Sequence, residues 1–186
     1  MEDKKAVRRE MLLKRNKMHK NSILCLSEVI CGRIAGLTQY RDARTILLYS
    51  STGSEVQTDP LIQRAFEDGR TVCFPVCMDG TVMEAYVPCG PEGWKTGSFG
   101  IREPDPEKSI HVPAEDIDFI VCPCVSFDRM HRRLGMGGGY YDRYLRRAVN
   151  AFTVQAAFEL QRFDGLLPAY EYDAGTDLVI TEKGIF

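Results

Sequence analysis

The sequence predicts an α/β fold, a single three-layer domain over residues 1–186 with a mostly parallel central sheet flanked by helices. The first observation is an alternation of buried strand, helix and strand over 45–50, 58–67 and 71–76, which is the order of a βαβ unit. The second is a set of further apolar runs bounded by turn residues, at 119–122, 152–158 and 178–181. With 44% hydrophobic residues, the chain can bury one sizeable core.

Composition excludes several classes of protein. A net charge of −2 argues against a nucleic-acid-binding protein, and no apolar run approaches the length of a membrane span. The N-terminus is basic and lacks the apolar segment of a secretory signal. The seven cysteines are odd in number and are not spaced with the histidines as zinc ligands. We therefore expect a cytoplasmic protein with reduced thiols, acting as a monomer on small molecules, without nucleic-acid or membrane partners.

The chain begins with two predicted helices. Residues 3–20 form the first, with an apolar stripe of Val7, Met11 and Met18. A neighbouring stripe carries Lys4, Arg8 and Arg15. A solvated basic face is the simpler interpretation of these cations, and the alternative is that Lys4 and Arg8 reach a phosphate or carboxylate held elsewhere. The second helix is predicted to run from Ser22 to Gly36, with core residues at Leu24, Val29, Ile30 and Ile34.

The polar turn after the first strand contains Glu55. Ligands of parallel sheets bind beyond the carboxyl ends of the strands, so this rule brings Glu55 to the edge where later loops also lie. The alternative is an acid that interacts with the start of the next helix. Asp79-Gly80 then predicts a hairpin. Residues 88–116 are rich in Pro and Gly and are predicted to be one irregular loop, whose Trp94 and Phe99 either stack on a flat ring or anchor the loop.

A glycine-rich segment follows the strand at 119–122. Arg132 and Arg133 precede four glycines in five positions, and helical spacing predicts a helix start at Gly139 or Tyr140. Glycines let backbone N–H groups approach an anion, and a helix start adds partial positive charge. The segment matches neither the P-loop nor the dinucleotide fingerprint. It predicts a phosphate site, and the alternative is a turn that only lets a strand and a helix pack closely.

Two carboxylates are candidates for a metal that accompanies phosphate. Asp142 lies just beyond the glycines, and Asp173 precedes the last strand. Mg²⁺ is typically held by one or two carboxylates together with phosphate oxygens. The alternatives are an acid that stabilises a helix start at Asp142 and a turn residue at Asp173. From residue patterns alone, the sequence indicates an α/β protein that binds a phosphorylated ligand with Mg²⁺.

The segment Arg133–Arg143 resembles the hallmark loop of the 5-formyltetrahydrofolate cyclo-ligase family, whose members are also called methenyltetrahydrofolate synthetases. The resemblance extends over nearly the whole chain, through weaker segments in the same order. These segments are Lys4-x₃-Arg8, Glu55–Thr58, Phe99–Pro104, and Asp173-x₃-Asp177 with the following strand to Thr181.

The resemblance implies conversion of 5-formyltetrahydrofolate to 5,10-methenyltetrahydrofolate, driven by ATP and Mg²⁺, with release of ADP and phosphate. It implies catalytic roles for Arg133 and Asp142 and Mg²⁺ ligands at Asp142 and Asp173. The implied ATP contacts are Lys4, Arg8, Arg133, Leu134, Gly135, Met136, Gly137, Gly138, Gly139, Tyr140 and Tyr141. The implied folate contacts are Glu55, Phe99, Met136, Gly137, Gly138, Gly139 and Tyr140.

Three positions depart from the family pattern. Some members have Arg at the position of Met136 and Lys at that of Gly138, and Arg132 or Arg129 is the expected substitute for this cation. His often precedes the C-terminal Asp, where this chain has Tyr172. The missing loop cation is the best argument for an alternative, a folate- or nucleotide-binding relative without catalysis. A second alternative, an ATP-dependent enzyme for another formyl or acyl substrate, stays open because the segment 88–116 is too irregular to indicate the substrate.

Overall fold

The computed structural model describes residues 3–78, 80–97 and 100–186. Seven of its strands form the main sheet: β1 (Thr45–Leu47), β2 (Thr71–Cys77), β3 (Met83–Pro88), β6 (Ser109–Val112), β7 (Phe119–Pro123), β10 (Phe152–Ala156) and β11 (Leu178–Ile180). Their order across the sheet is β11-β10-β7-β1-β2-β3-β6. The strands from β11 to β2 are parallel, and β3 and β6 add antiparallel pairs. The predicted mostly parallel α/β sheet is therefore confirmed.

Both faces of the sheet are buried. Neighbouring residues of a strand point to opposite sides, so each strand contributes side chains to both cores. On one face Ile46 and Val121 join a core formed with the helices α2 (Lys20–Gly36), α3 (Thr38–Asp42) and α4 (Asp59–Glu67). On the other face Leu47 and Ile120 pack with Tyr144 of α5 (Tyr140–Leu145). The helices on the two faces give the three predicted layers, and near-continuous apolar strands are what such burial requires.

The N-terminal helix is shorter than predicted. The helix α1 (Lys4–Asn16) ends two residues before Met18, and α2 begins at Lys20 rather than at a Ser22 cap. Val7 and Met11 are buried as predicted. The predicted core positions Leu24 and Val29 are wrong, since each is 45% exposed. The buried stripe of α2 instead runs through Ile23, Ser27, Ile30, Cys31, Ile34 and Ala35.

The segment 88–116 is not irregular, contrary to the prediction. It contains β4 (Trp94–Thr96) and β5 (Arg102–Pro104), which pair with each other, and the edge strand β6. Its prolines lie at the starts of short 3₁₀ turns or at strand ends, where a missing N–H costs little. The predicted hairpin between β2 and β3 is confirmed by the antiparallel pairing of Cys77 with Met83.

Candidate active site

A second hairpin carries the glycine-rich segment. The strands β8 (Ser126–Phe127) and β9 (Arg133–Leu134) pair with each other after β7, so that Arg133 lies on a strand and not in the loop. Asp128 organises the turn between them: its buried carboxylate accepts hydrogen bonds from the N–H groups of Met130, Arg132 and Leu167. A charged acceptor shared by three backbone donors fixes the direction in which the glycine loop leaves β9.

The glycine loop joins β9 to α5 in a conformation that needs glycine at two positions. Gly137 and Gly139 have φ values of 106° and 66°, the left-handed region where a Cβ is strained. Two arginines contact the loop carbonyls: Arg8 donates through Nε to Gly135 O at 2.7 Å, and Arg143 donates through Nη2 to Gly138 O at 2.8 Å. The loop is therefore bordered by cations from α1 and α5.

Two ion pairs lie beside this loop. Arg133 Nη2 and Asp142 Oδ1 are 2.6 Å apart, and Lys4 Nζ and Asp173 Oδ2 are 2.5 Å apart. The pairs are neighbours, since the N–H of Ala174 donates to Asp142 Oδ1 at 3.3 Å. The structure thus brings together Lys4, Arg133, Asp142 and Asp173 from four distant segments of the chain.

The four charges differ in burial. The Arg133 side chain is 4% exposed and that of Asp142 20%, so this pair is largely withdrawn from solvent. Lys4 also lies over the ring of Tyr170, with 4.1 Å between Nζ and the ring centroid. A poorly solvated cluster of two cations and two carboxylates has strong electrostatic interactions with any charged ligand that enters it.

Glu55 reaches the same region from the loop after β1. Its Oε2 accepts hydrogen bonds from the N–H and hydroxyl of Thr52 at 2.9 and 3.1 Å. Burial raises the pKa of Tyr141 well above its usual value, and the negative charge of Glu55 raises it further. The phenol oxygen of Tyr141 is buried and has no hydrogen-bond partner among the described residues. The charge of Glu55 thus acts on the first turn of α5, and its contact with a ligand of the glycine loop stays a prediction.

A cavity of about 780 Å³ opens beside the hairpin of β2 and β3. It is lined by Val76, Cys77, Met78, Val82, Glu84, Lys95, Thr96, Gly97, Glu103 and Pro106. Arg143 connects this hairpin to the glycine loop, because it donates to Gly138 O and to the carbonyl of Thr81, the neighbour of Val82. The size of the cavity is within the range of small-molecule sites.

The described carboxylates fit Mg²⁺ only in combination with another ligand. No group of three or more His, Cys, Asp or Glu side chains suited to a metal occurs in the described part of the chain. Each of the two carboxylates uses one oxygen for both of its partners. Asp142 Oδ1 accepts from Arg133 and from the N–H of Ala174, and Asp173 Oδ2 accepts from Lys4 and from the N–H of Tyr170. Asp142 Oδ2 lies toward Gly139, 3.9 Å from where a Cβ on that residue would be. Two carboxylates beside a glycine loop bordered by arginines would, together with phosphate oxygens, match the usual Mg²⁺ arrangement.

Several predicted residues lie elsewhere. Arg15, on the same helix stripe as Lys4 and Arg8, is buried and donates to Ser54 Oγ and Cys124 O, so the solvated-face interpretation is wrong for it. Arg132 does not replace the missing loop cation, since its Nη1 donates to Leu167 O. The Met136 side chain is exposed. Phe99 lies outside the described residues.

Sequence reasoning missed two residues of this region. No role was predicted for Arg143, yet its guanidinium covers Gly138 and Gly139 and supplies a cation at the loop. Its position four residues after Gly139 was the signal, because one helical turn brings it back to the loop. Asp128 had no such signal, because its partner Leu167 is distant in sequence.

Comparisons with known proteins agree with this arrangement. The model of the 5-formyltetrahydrofolate cyclo-ligase family matches residues 1–182. The 5-formyltetrahydrofolate cyclo-ligase of Haemophilus influenzae is 34% identical over 74% of this chain and 75% of its own, and that of Mycolicibacterium smegmatis 31% over 84% and 82%.

Two solved structures share the fold. The 5,10-methenyltetrahydrofolate synthetase of Aquifex aeolicus superposes with a TM-score of 0.85 at 31% identity, covering 98% of this chain and 91% of the other. The enzyme of that name from Mycoplasma pneumoniae gives 0.79 at 26% identity, covering 97% and 99%. This chain therefore belongs to the 5-formyltetrahydrofolate cyclo-ligase family.

Proposed function

We propose that this protein converts 5-formyltetrahydrofolate to 5,10-methenyltetrahydrofolate, using ATP and Mg²⁺ and releasing ADP and phosphate. One observation carries the proposal: a glycine loop bordered by Arg8 and Arg143 stands beside the paired charges Arg133–Asp142 and Lys4–Asp173. Phosphoryl transfer asks a protein mainly for positioning and charge neutralisation, and these groups supply both. Membership of the family supports the same reaction.

The triphosphate of ATP is assigned to the loop and its cations. Lys4, Arg8 and Arg133 neutralise phosphate oxygens, while the N–H groups of 134–141 supply uncharged donors. Arg133 acts as the catalytic cation because its burial strengthens its interaction with the charge that develops on the transferred group. Arg143 completes the ring of cations in a chain that has Met136 and Gly138 where relatives carry basic residues.

Asp142 and Asp173 would hold Mg²⁺. When bound, the ion shields the phosphate charges and stabilises the leaving ADP. Asp142 contacts both the ion and Arg133 in this assignment, which makes it the catalytic carboxylate. Asp173 is held by Lys4 and by the N–H of Tyr170, so its position is fixed before any ligand arrives.

The folate is assigned to the cavity beside β2 and to the residues between it and the loop. The formyl oxygen on N5 attacks the γ-phosphorus of ATP, and ADP leaves. The N10 amine then attacks the activated formyl carbon, the C–O bond to phosphate breaks, and the N10 proton goes to solvent. Glu55 orients the folate near N10, while residues 136–140 border the ring. Phe99, which lies outside the described residues, stays a folate contact that the resemblance implies. Positioning two reacting groups in this way replaces a dedicated nucleophile.

The decisive experiment mixes purified protein with 5-formyltetrahydrofolate, ATP and Mg²⁺ and follows the absorbance band of methenyltetrahydrofolate. We expect a rise that disappears when ATP or Mg²⁺ is omitted. A flat trace with folate binding still seen by calorimetry would instead identify a binding relative without catalysis. A flat trace without folate binding would point to another formyl or acyl substrate.

We also infer that the protein works in the cytoplasm as a monomer. All seven cysteines are free, which fits a reducing compartment. Within the described residues, no helix is both long and apolar enough to cross a bilayer. Light scattering on the purified protein tests the monomer, and a mass of twice 21.0 kDa would contradict it.

A further inference from the structure

The cavity beside β2 is lined by two carboxylates in contrasting surroundings. Glu84 is neutralised: Arg147 bonds both of its oxygens at 2.8 and 2.9 Å, and His111 approaches Oε2 at 3.3 Å. Glu103 is not. It is 8% exposed and forms no ion pair with a described residue, while the nearby Lys95 pairs with Asp105. Glu103 therefore brings to the cavity a carboxylate that no described ion pair neutralises, although the Cys77 N–H and the more distant charge of Lys95 favour its charged form.

The fold holds the Glu103 carboxylate in a defined place. Glu103 lies opposite Lys95 in the small sheet of β4 and β5, and its carboxylate lies directly over Gly97. A Cβ at Gly97 would overlap the carboxylate carbon and both of its oxygens. A side chain at this position would therefore displace the Glu103 carboxylate, whereas the backbone of Gly97, whose φ lies outside the left-handed region, would accept one.

A buried carboxylate without a cation is costly unless a ligand supplies donors. Burial raises the pKa of Glu103, although the charge of Lys95 and the Cys77 N–H oppose this. Perturbed, unpaired carboxylates in cavities are typical of ligand-binding positions. The ligand must bring hydrogen-bond donors in place of the missing cation.

The folate offers one edge with this chemistry. The 2-amino-4-oxo pterin ring presents N3–H and the 2-amino group side by side, in the same parallel geometry as two N–H groups of an arginine. A carboxylate accepts such a pair in a bidentate manner. The other end of folate carries glutamate carboxylates, which Glu103 would repel. The carboxylate of Glu103 therefore favours the pterin end over the glutamate end.

We propose that Glu103 recognises the pterin ring of 5-formyltetrahydrofolate by accepting hydrogen bonds from N3–H and the 2-amino group. This inference rests on the proposed function, because it takes the folate as the occupant of the cavity. Glu103 is then a specificity-determining residue that contacts the ring at the edge remote from the formyl group. Arg143, which bonds both the Thr81 and the Gly138 carbonyls, lies between this cavity and the glycine loop where the reacting atoms are assigned.

The test measures binding by calorimetry without ATP, using 5-formyltetrahydrofolate and its analogue with methyl in place of the 2-amino group. We expect the unaltered protein to prefer the natural ligand by more than about tenfold, the value of a charge-assisted hydrogen bond. Glu103→Gln should reduce the preference to about threefold or less. Glu107→Gln removes the same charge from an exposed position on the same segment and should keep the full preference.

Gly97→Ala provides an independent variant, because it displaces the carboxylate without removing its charge. Gly97→Ala should also lower the preference for 5-formyltetrahydrofolate over the analogue. If Glu103→Gln does not fold, the result for Gly97→Ala decides whether the Glu103 carboxylate recognises the pterin ring. An unchanged preference in folded Glu103→Gln would overturn the inference, as would equal binding of both ligands by the unaltered protein. If the protein prefers 5-formyltetrahydrofolate over the analogue but gives no absorbance rise in the turnover assay, the role of Glu103 stands and the proposed function is refuted. Absence of folate binding would refute both.

Discussion

Asp142→Asn separates the role of Asp142 in metal binding from its role in stability. Asparagine keeps the size of the side chain and an oxygen that can accept from Arg133 Nη2. It removes the negative charge that neutralises Arg133 and that would hold Mg²⁺. The two roles make different quantitative predictions.

The stability effect follows from the burial of the pair. The Arg133 side chain is nearly buried and that of Asp142 is a fifth exposed. The energy of the lost interaction should therefore lie between that of a surface ion pair and that of a fully buried one. We expect unfolding free energy to fall by about 2 kcal/mol. For a chain of this size each kcal/mol lowers Tm by about 2–4 °C, so calorimetry should show a decrease of about 4–8 °C.

The effect on turnover should be larger than this. Removing one preorganised charge from a phosphoryl-transfer site costs at least about 100-fold in kcat. The assay is methenyltetrahydrofolate formation at saturating ATP and folate, at a temperature where the variant is fully folded. The matched control is Asp177→Asn, which loses the same charge where Asp177 Oδ2 accepts from Thr153 N and Oγ1. It should lower Tm similarly and leave turnover within about threefold. Folded Asp142→Asn with turnover within tenfold of the unaltered protein would remove Asp142 from the metal site.

Three further predictions concern other parts of the molecule. Lys4→Ala should raise the KM for ATP by about tenfold, because a cation at the proposed phosphate site is lost. Lys14→Ala, which removes an exposed cation of the same helix, should leave this KM unchanged. Equal KM values in the two variants would exclude Lys4 from phosphate binding. Asp128→Ala should lower the free energy of unfolding by about 3 kcal/mol in a urea titration, since three backbone N–H groups lose their charged acceptor; a loss below about 1 kcal/mol would contradict this. A thiol reagent at pH 8 should modify exposed Cys25 and Cys89 rapidly. Burial raises the pKa of four other thiols to about 12 and should protect them, so rapid reaction of any of these four would contradict the packing: Cys31, Cys73, Cys122 and Cys124.

Local patterns predicted the fold because each strand is recognisable by itself. The run at 119–122 is apolar throughout, and such a strand must be covered on both faces. The alternation over 45–76 then requires parallel neighbours. The same reasoning predicted that Glu55 would face the glycine loop, since strand ends of a parallel sheet share one edge.

Periodicity could not predict what packs against each face. Lys4, Arg8 and Arg15 share one stripe of α1, but they meet three environments: Asp173, the Gly135 carbonyl and a buried pocket with Cys124 O. Similarly, the prolines and glycines of 88–116 mask strands that form only by pairing with a distant partner. Long-range pairing leaves no local signal, because β6 is defined by its ladder with β3 rather than by its own composition.

The two ion pairs explain how the proposed site holds four charges at low cost before ligands bind. Arg133 and Lys4 neutralise Asp142 and Asp173, so the cluster is electrically balanced although it is partly withdrawn from water. Under the proposed function, Lys4 and Arg133 would turn to phosphate and Asp142 and Asp173 would hold Mg²⁺, so that every charge would keep an opposite partner. Either ligand alone would leave like charges unbalanced in a poorly solvated place, which is costly. We therefore expect metal and nucleotide to bind jointly, which would account for basic and acidic residues converging on one glycine loop.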